Sequence, residues 1–296
     1  MINFTKVTAT GLLMMTVAFE SMAVDHLAII GGATPGGWEI GDGLLMLPDS
    51  ENPDVFNFTG YLKAEEEFKF TTGRDFSDPT LEYRNESSDP YDVSKLVQGG
   101  GATDNKFKVK ESANYNVVCN LADMTVSVTK AEYQENPIRF NALFLVGNAT
   151  DGGWEIADGT LMTWAGGTDP FKFTYSGDLK EGEFKITSNR YNGSWDGPWF
   201  FAGVDEAGNI DYSKISPDGN GDRKWQVAAA GRYNIETDLL NGSFAITNAP
   251  QNAIEAVDAD IAGTPVYYNL QGMTVSNPSN GIFIKQIGDK ITKVIL

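Results

Sequence analysis

Apolar residues along this chain fall in short runs or alternate with polar ones, and they seldom recur at helical spacing. Leu27-Ala-Ile-Ile30 and Leu143-Phe-Leu-Val146 are solid apolar runs, the pattern of a buried strand. Each opens into a Gly-rich turn that delivers one tryptophan. The first turn is Gly31-Gly-Ala-Thr-Pro-Gly-Gly-Trp38-Glu-Ile-Gly-Asp-Gly43, and the second is Gly147-Asn-Ala-Thr-Asp-Gly-Gly-Trp154-Glu-Ile-Ala-Asp-Gly159. Trp154 follows Trp38 by 116 residues, a period that means tandem domains rather than a solenoid.

The first repeat is expected at residues 26–131. Strand patterns follow the motif at Leu44–Leu47 and Val55–Phe58, with Pro53 and Asp54 marking the turn between them. Phe68 and Phe70 then share one strand face, which turns Lys69 to the other. Residues 75–105 are polar and rich in Asp and Gly, and read as a long excursion. Strand patterns resume at Lys106–Lys110, Tyr115–Leu121 and Met124–Val128. The second repeat, expected at 142–248, keeps the order: Lys185 matches Lys69, Arg190 matches Arg74, Trp225 matches Phe107 and Tyr233 matches Tyr115.

The two copies differ in aromatic residues. Of six tryptophans only Trp38 lies in the first; Trp154, Trp164, Trp195, Trp199 and Trp225 lie in the second. Trp225 alternates with apolar neighbours, which places it in the core. Trp164 aligns with Pro48, and its role stays open. Tyr191, Trp195 and Trp199 sit in a loop among Gly and Pro, where large side chains are candidates for ligand contact, and Trp195 and Trp199 are expected exposed or half-exposed. Packing of the loop itself is the alternative.

Charge and the termini narrow the function. A net charge of −18 disfavours nucleic acid, which needs clustered Lys and Arg, but not a neutral ligand such as a sugar. The single Cys119 excludes an internal disulfide. Lys6, the apolar Gly11–Phe19 and the small residues of Ser21-Met-Ala23 read as a signal peptide over residues 1–23; a first strand is the alternative. No cysteine lies near the expected cut to carry a lipid. Residues 254–296 hold three or four strand patterns with tight turns and form a small C-terminal β unit.

A sugar site needs a flat apolar plate for the C–H face of the ring and polar groups for the hydroxyls. Trp154, Lys185 and Arg190, and likewise Trp38, Lys69 and Arg74, are the right types; the alternative makes the tryptophan a core plug and the lysine a solvated strand residue. Catalysis has little support. The one histidine, His26, lies beside the expected cleavage site, and none of the 40 acidic residues forms a recognisable pair. Asp218, Asn220 and Asp222 have the alternate-oxygen spacing of a calcium loop, but Arg223 stands where glycine is expected and Ala229 where the distal Glu belongs. No metal or cofactor is therefore expected, with those three as the weak candidate.

The motif Gly-x-Ala-Thr-x-Gly-Gly-Trp, followed by Glu-Phe-Lys-Phe/Ile, resembles the modules of the SusE/SusF-type starch-binding proteins of Bacteroidetes over residues 26–248. The resemblance implies an all-β chain of two tandem β-sandwich domains, immunoglobulin-like or carbohydrate-binding-module-like. It also implies non-catalytic capture of α-glucan, with Trp38 and Lys69, and Trp154 and Lys185, at the sites. The missing lipid-attachment cysteine departs from that family. Tyr268-Asn-Leu-Gln-Gly272, Asn277-Pro and Gly281-Ile-Phe-Ile284 instead resemble type IX C-terminal sorting domains. The implied location is the outer membrane surface or beyond, with secretion or glycan-uptake machinery as partner. A structural or adhesive protein with a protein ligand, and a glycoside hydrolase, are the competing classes.

Overall fold

The computed structural model describes residues 26–189, 195, 197–217, 221–249, 265–269, 272–276, 278–279, 281–287 and 290–295. The expected signal peptide, Arg190, Tyr191, Asp218 and Asn220 lie outside them. The fold is all-β and antiparallel, and no helix among the described residues is long and apolar enough to cross a membrane.

Eight strands build the first sheet: β1 (Leu27–Ile30), β2 (Leu44–Pro48), β3 (Val55–Leu62), β4 (Lys69–Thr71), β5 (Glu82–Asn85), β6 (Leu96–Gln98), β7 (Ala113–Asn120) and β8 (Thr125–Lys130). Their order is β6-β5-β4-β1-β2-β3-β7-β8. The two ends meet where Lys95 bridges Thr125, so the sheet rolls into a closed sandwich with no free edge at that seam. Residues 75–105, expected as an excursion, supply β5 and β6 and are part of the wall. Tyr83 and Leu96 face the core, and apart from Val97 the other strand positions are polar; that is why the run looked like loop.

The second sheet repeats the plan with β9 (Phe144–Val146), β10 (Thr160–Leu161), β11 (Thr163–Trp164), β12 (Lys172–Leu179), β13 (Gly182–Thr187), β14 (Trp199–Val204), β15 (Ile210–Ser216), β16 (Trp225–Val227), β17 (Gly231–Asp238) and β18 (Ser243–Asn248). β10 pairs with β9 and β11 with β12, so this strand, broken at Met162, joins the two layers as β2 does by pairing with β1 and β3.

Each half has its own core. β3 buries Phe56, Phe58 and Leu62 by strict alternation. Phe68, Phe70 and Phe107 pack with centroids 5.5–5.9 Å apart. In the second half Trp225 stacks on Phe184 and Phe244, at 5.7 and 4.3 Å. Full burial of such rings stabilises by about 1.5–3 kcal/mol each. Burial drives the Cys119 thiol well above its ordinary range, as befits an inert core residue.

The halves are joined, and the described residues up to Asn248 form one compact unit. Ala28 and Leu45 pack against Ala142 and Phe144. This explains why β1 is apolar throughout: Leu27 and Ile29 face one core, and Ala28 faces the neighbouring half. The connecting segment is tied down as well. Buried Asn114 donates to the carbonyls of Tyr133 and Asn136 and accepts from the Ile138 amide. The C-terminal unit forms a separate sheet of β19 (Val266–Tyr268), β20 (Thr274–Val275), β21 (Ile282–Ile287) and β22 (Lys290–Ile295), ordered β20-β19-β21-β22.

Candidate functional site

The duplicated motif is first of all a turn. The Ala33 amide donates to the Glu67 carbonyl and the Thr34 hydroxyl to the Gly31 carbonyl; Ala149 and Thr150 do the same with Glu183 and Gly147. A Cβ at Gly31 would lie 2.2 Å from the Glu67 carbonyl oxygen, and one at Gly147 2.1 Å from that of Glu183, so only glycine fits. Gly37 and Gly153, immediately before the tryptophans, adopt φ of +63° and +60°. The motif thereby delivers Trp38 and Trp154 beside the strands that carry Lys69 and Lys185.

Those lysines do point away from the core, as the alternation of Phe68 and Phe70 predicts, yet both are buried rather than solvated. Lys69 lies 2.7 Å from Glu82 and 3.4 Å from Asp104. Arg84 shares both carboxylates, at 2.7 and 3.4 Å. The Trp38 and Phe76 rings close over the Lys69 ammonium at 5.9 and 5.2 Å, with Lys106 on Trp38 at 6.0 Å. Burial raises the affinity of Asp104 for its proton, but the Lys106 hydrogen bond and the charges of Lys69, Lys106 and Arg84 outweigh it and hold the group below its usual range.

The second half turns the same frame aromatic. Lys185 has four rings about its ammonium: Trp199 at 4.6 Å, Trp195 at 4.9 Å, Phe201 at 5.4 Å and Trp154 at 5.9 Å. Its carboxylate partner is Asp222, at 2.9 Å. Lys224 binds Asp222 at 2.7 Å and lies over Trp154 at 5.7 Å. Hydrogen bonds from Lys185 and then Lys224 hold Asp222 below the usual carboxylate range, and the bond to Asp222 raises Lys224.

Strand register explains the difference. Thr71 pairs with Glu82 and Phe70 with Tyr83, whereas Thr187 pairs with Trp199 and Ile186 with Phe200. Trp199 and Phe201 therefore occupy the places of Glu82 and Arg84. Trp199 lies in β14 and is only 8% exposed, contrary to its expected loop placement. It packs with Val146, Ile156 and Phe201, stacks on Trp195 at 4.9 Å and 13°, and donates its Nε1–H to the Trp195 carbonyl. The exposed plates are Trp195 at 49% and Trp38 at 38%, with Trp154 half-buried. Trp154 and Trp195 lie 6.1 Å apart at 38°.

Arg74 is exposed, and no described hydrogen bond or ion pair links it to Trp38 or Lys69. Among the described residues no cluster of His, Cys, Asp or Glu suits a metal, and Asp222, the described member of the weak calcium candidate, is bound to two lysines.

The sequence matches no protein-family model and no curated protein. It is structurally similar to SusF from Bacteroides thetaiotaomicron. The TM-score is 0.29 and the identity 20%, over 76% of this chain and 48% of that one. This chain thus spans about half the length of SusF.

Sequence reasoning missed Glu82, Arg84, Asp104, Lys106, Phe201 and Lys224, and singled out Asp222 only as a weak calcium candidate. Part of the signal was present. Asp104-Asn-Lys106-Phe107 and Asp222-Arg-Lys224-Trp225 repeat with the same spacing, each bridged to the strand that carries the buried lysine.

Proposed function

We propose that residues 26–248 bind carbohydrate without catalysis, through two modules at 26–131 and 142–248. The observation that carries this reading is the surface at Lys185. Trp154 and Trp195 present neighbouring indole faces beside the ion-paired Asp222 and Lys224, which combines apolar plates for sugar C–H faces with directional polar groups for hydroxyls. Trp199 and Phe201 back these plates. The ligand is an α-glucan, as the motif resemblance implies, and Trp38 with Lys69 forms a second, weaker site.

The carboxylates beside the two buried lysines favour binding over hydrolysis. A glycosidase needs one carboxyl that keeps its proton near neutrality. The two lysine-paired carboxylates of the sites, Asp104 and Asp222, are held below the usual carboxylate range by their cations and do not meet that need. Residues 254–296 act in this reading as an export and sorting signal, which puts the protein at the outer membrane surface or outside the cell. Deleting them is expected to leave the modules folded but retained in the envelope; surface delivery of the truncated chain would reject that role. Affinity electrophoresis in gels containing soluble starch, β-glucan or no glycan tests the main reading. Retardation by starch without reducing-sugar release is expected. Sugar release would make the protein an enzyme, and no retardation in any gel would point to a protein ligand.

A further inference from the structure

The duplicated halves are not used symmetrically, and one residue marks the difference. Asn189 follows β13, the strand of Lys185, and stands six residues before Trp195. It is 1% exposed although it belongs to no strand. Its side-chain amide crosses to the other half and donates to the carbonyls of Gly41 at 3.1 Å and Gly43 at 3.0 Å. Those carbonyls belong to the 3-10 turn Ile40–Asp42 and its C-cap, immediately after Trp38-Glu39 in the first motif. Gly197, two residues after Trp195, lies near the same turn: a Cβ there would be 3.3 Å from the Gly41 oxygen.

The corresponding place in the first half is Gly73. It makes the same local turn, its amide donating to Thr71 Oγ1 as that of Asn189 donates to Thr187 Oγ1. With no side chain, Gly73 cannot reach across. The second motif's own turn, Ile156–Asp158, instead packs Ile156 beneath Trp199 and Phe201. The turn of the first motif thus serves the second site, and the reverse contact is missing among the described residues.

We infer that the first Gly-rich turn is a structural part of the aromatic site, and that Asn189 is a positioning residue through which Gly41 and Gly43 fix Trp195 over Lys185. Asn189 is hydrogen-bonded to the turn, Gly197 lies near it, and the Trp199 indole donates to the Trp195 carbonyl. A plate fixed before the ligand arrives costs less ordering on binding. The effect on ligand affinity rests on the carbohydrate-binding reading; the fixing of Trp195 does not.

The test uses the full chain with Asn189→Ala, and with Asn189→Ser as a milder variant, at a temperature where circular dichroism shows the fold intact. Acrylamide quenching of tryptophan emission should rise, and affinity for soluble starch should fall roughly tenfold. Neither change should appear when Asn189→Ala is added to Trp195→Ala. A purely structural Asn189 would lower Tm but leave quenching and affinity at wild-type values, and that result overturns the inference. An unchanged effect in the Trp195→Ala background overturns it as well. If the wild-type chain binds no starch, the binding reading fails separately and quenching alone decides: a rise confined to chains with Trp195 supports the clamp, and no rise overturns it.

Discussion

Glu82→Ala should be among the most destabilising single substitutions in the first half. The Glu82 carboxylate accepts from Lys69 Nζ at 2.7 Å and faces Arg84 Nη2 at 2.7 Å, with side-chain exposures of 4, 6 and 9% for the three residues. Removing one partner from a buried pair costs about 3–5 kcal/mol, because the remaining charge has lost both water and its counter-charge. Here two cations lose a partner at once. Asp104 lies 3.4 Å from both and is half exposed, so it offsets part of the loss and places the cost near ~3 kcal/mol. For a unit of this size each kcal/mol moves Tm by roughly 2–4 °C, which gives a drop of about 6–12 °C. Thermal unfolding followed by circular dichroism reads this directly. Lys130→Ala, which breaks the exposed pair with Glu111, should leave Tm unchanged and serves as control. A Tm for Glu82→Ala within about 2 °C of wild type would refute the argument that the buried cluster holds this wall together.

Three further outcomes follow from the same geometry. In titrations with a soluble malto-oligosaccharide, Trp154→Ala should lose most binding, Trp195→Ala should weaken it by roughly tenfold, and Trp38→Ala should matter least; the reverse order would place the main site in the first half. Asp222 binds protons less tightly folded than unfolded, so its stabilisation is complete above the ordinary carboxylate range and is lost as pH falls through its depressed folded value. Asp222→Asn should therefore flatten the acid limb of a Tm–pH curve, and an unaltered limb would count against the ion pairs with Lys185 and Lys224. Gly147→Ala should cost on the order of 3 kcal/mol or abolish folding, since its Cβ would meet the Glu183 carbonyl and the Phe184 Cα, and equilibrium denaturation measures it.

Much of the fold was legible because its signals are local. Alternation in Val55–Leu62 and around Phe68-Lys69-Phe70 marked strands and fixed which way Lys69 points. The duplicated glycines marked turns whose backbone approach leaves no room for a side chain. What was not legible depends on register between distant strands. Nothing local in Glu82-Tyr-Arg84 says that these polar residues line a buried lysine; that follows from the pairing of Thr71 with Glu82. Trp199 looked like loop because Gly197-Pro198 precedes it, yet pairing with Thr187 makes it a strand residue that supports Trp195. The contact of Asn189 with Gly41 and Gly43 spans both repeats, and no pattern within either one encodes it.

The second half is also a natural substitution experiment on the first, and it yields a prediction about coupling. At the places of Glu82 and Arg84 it carries Trp199 and Phe201, and Lys185 remains buried with one carboxylate, Asp222, at 2.9 Å. An anion and a cation have been exchanged together for apolar rings, so neither half keeps an unpaired buried charge. Glu82→Leu alone should therefore be costly, because Lys69 and Arg84 both lose their nearest carboxylate. Adding Arg84→Met removes one of the two orphaned cations and leaves Asp104 to serve Lys69, as Asp222 serves Lys185. The double variant should be more stable than Glu82→Leu by about 1–3 kcal/mol, the range expected for residues in one ion-pair network. Chemical denaturation of the wild type, the two single variants and the double variant closes the cycle. Additive losses would mean that Glu82 and Arg84 contribute independently, and that the aromatic exchange in the second half was not constrained by charge.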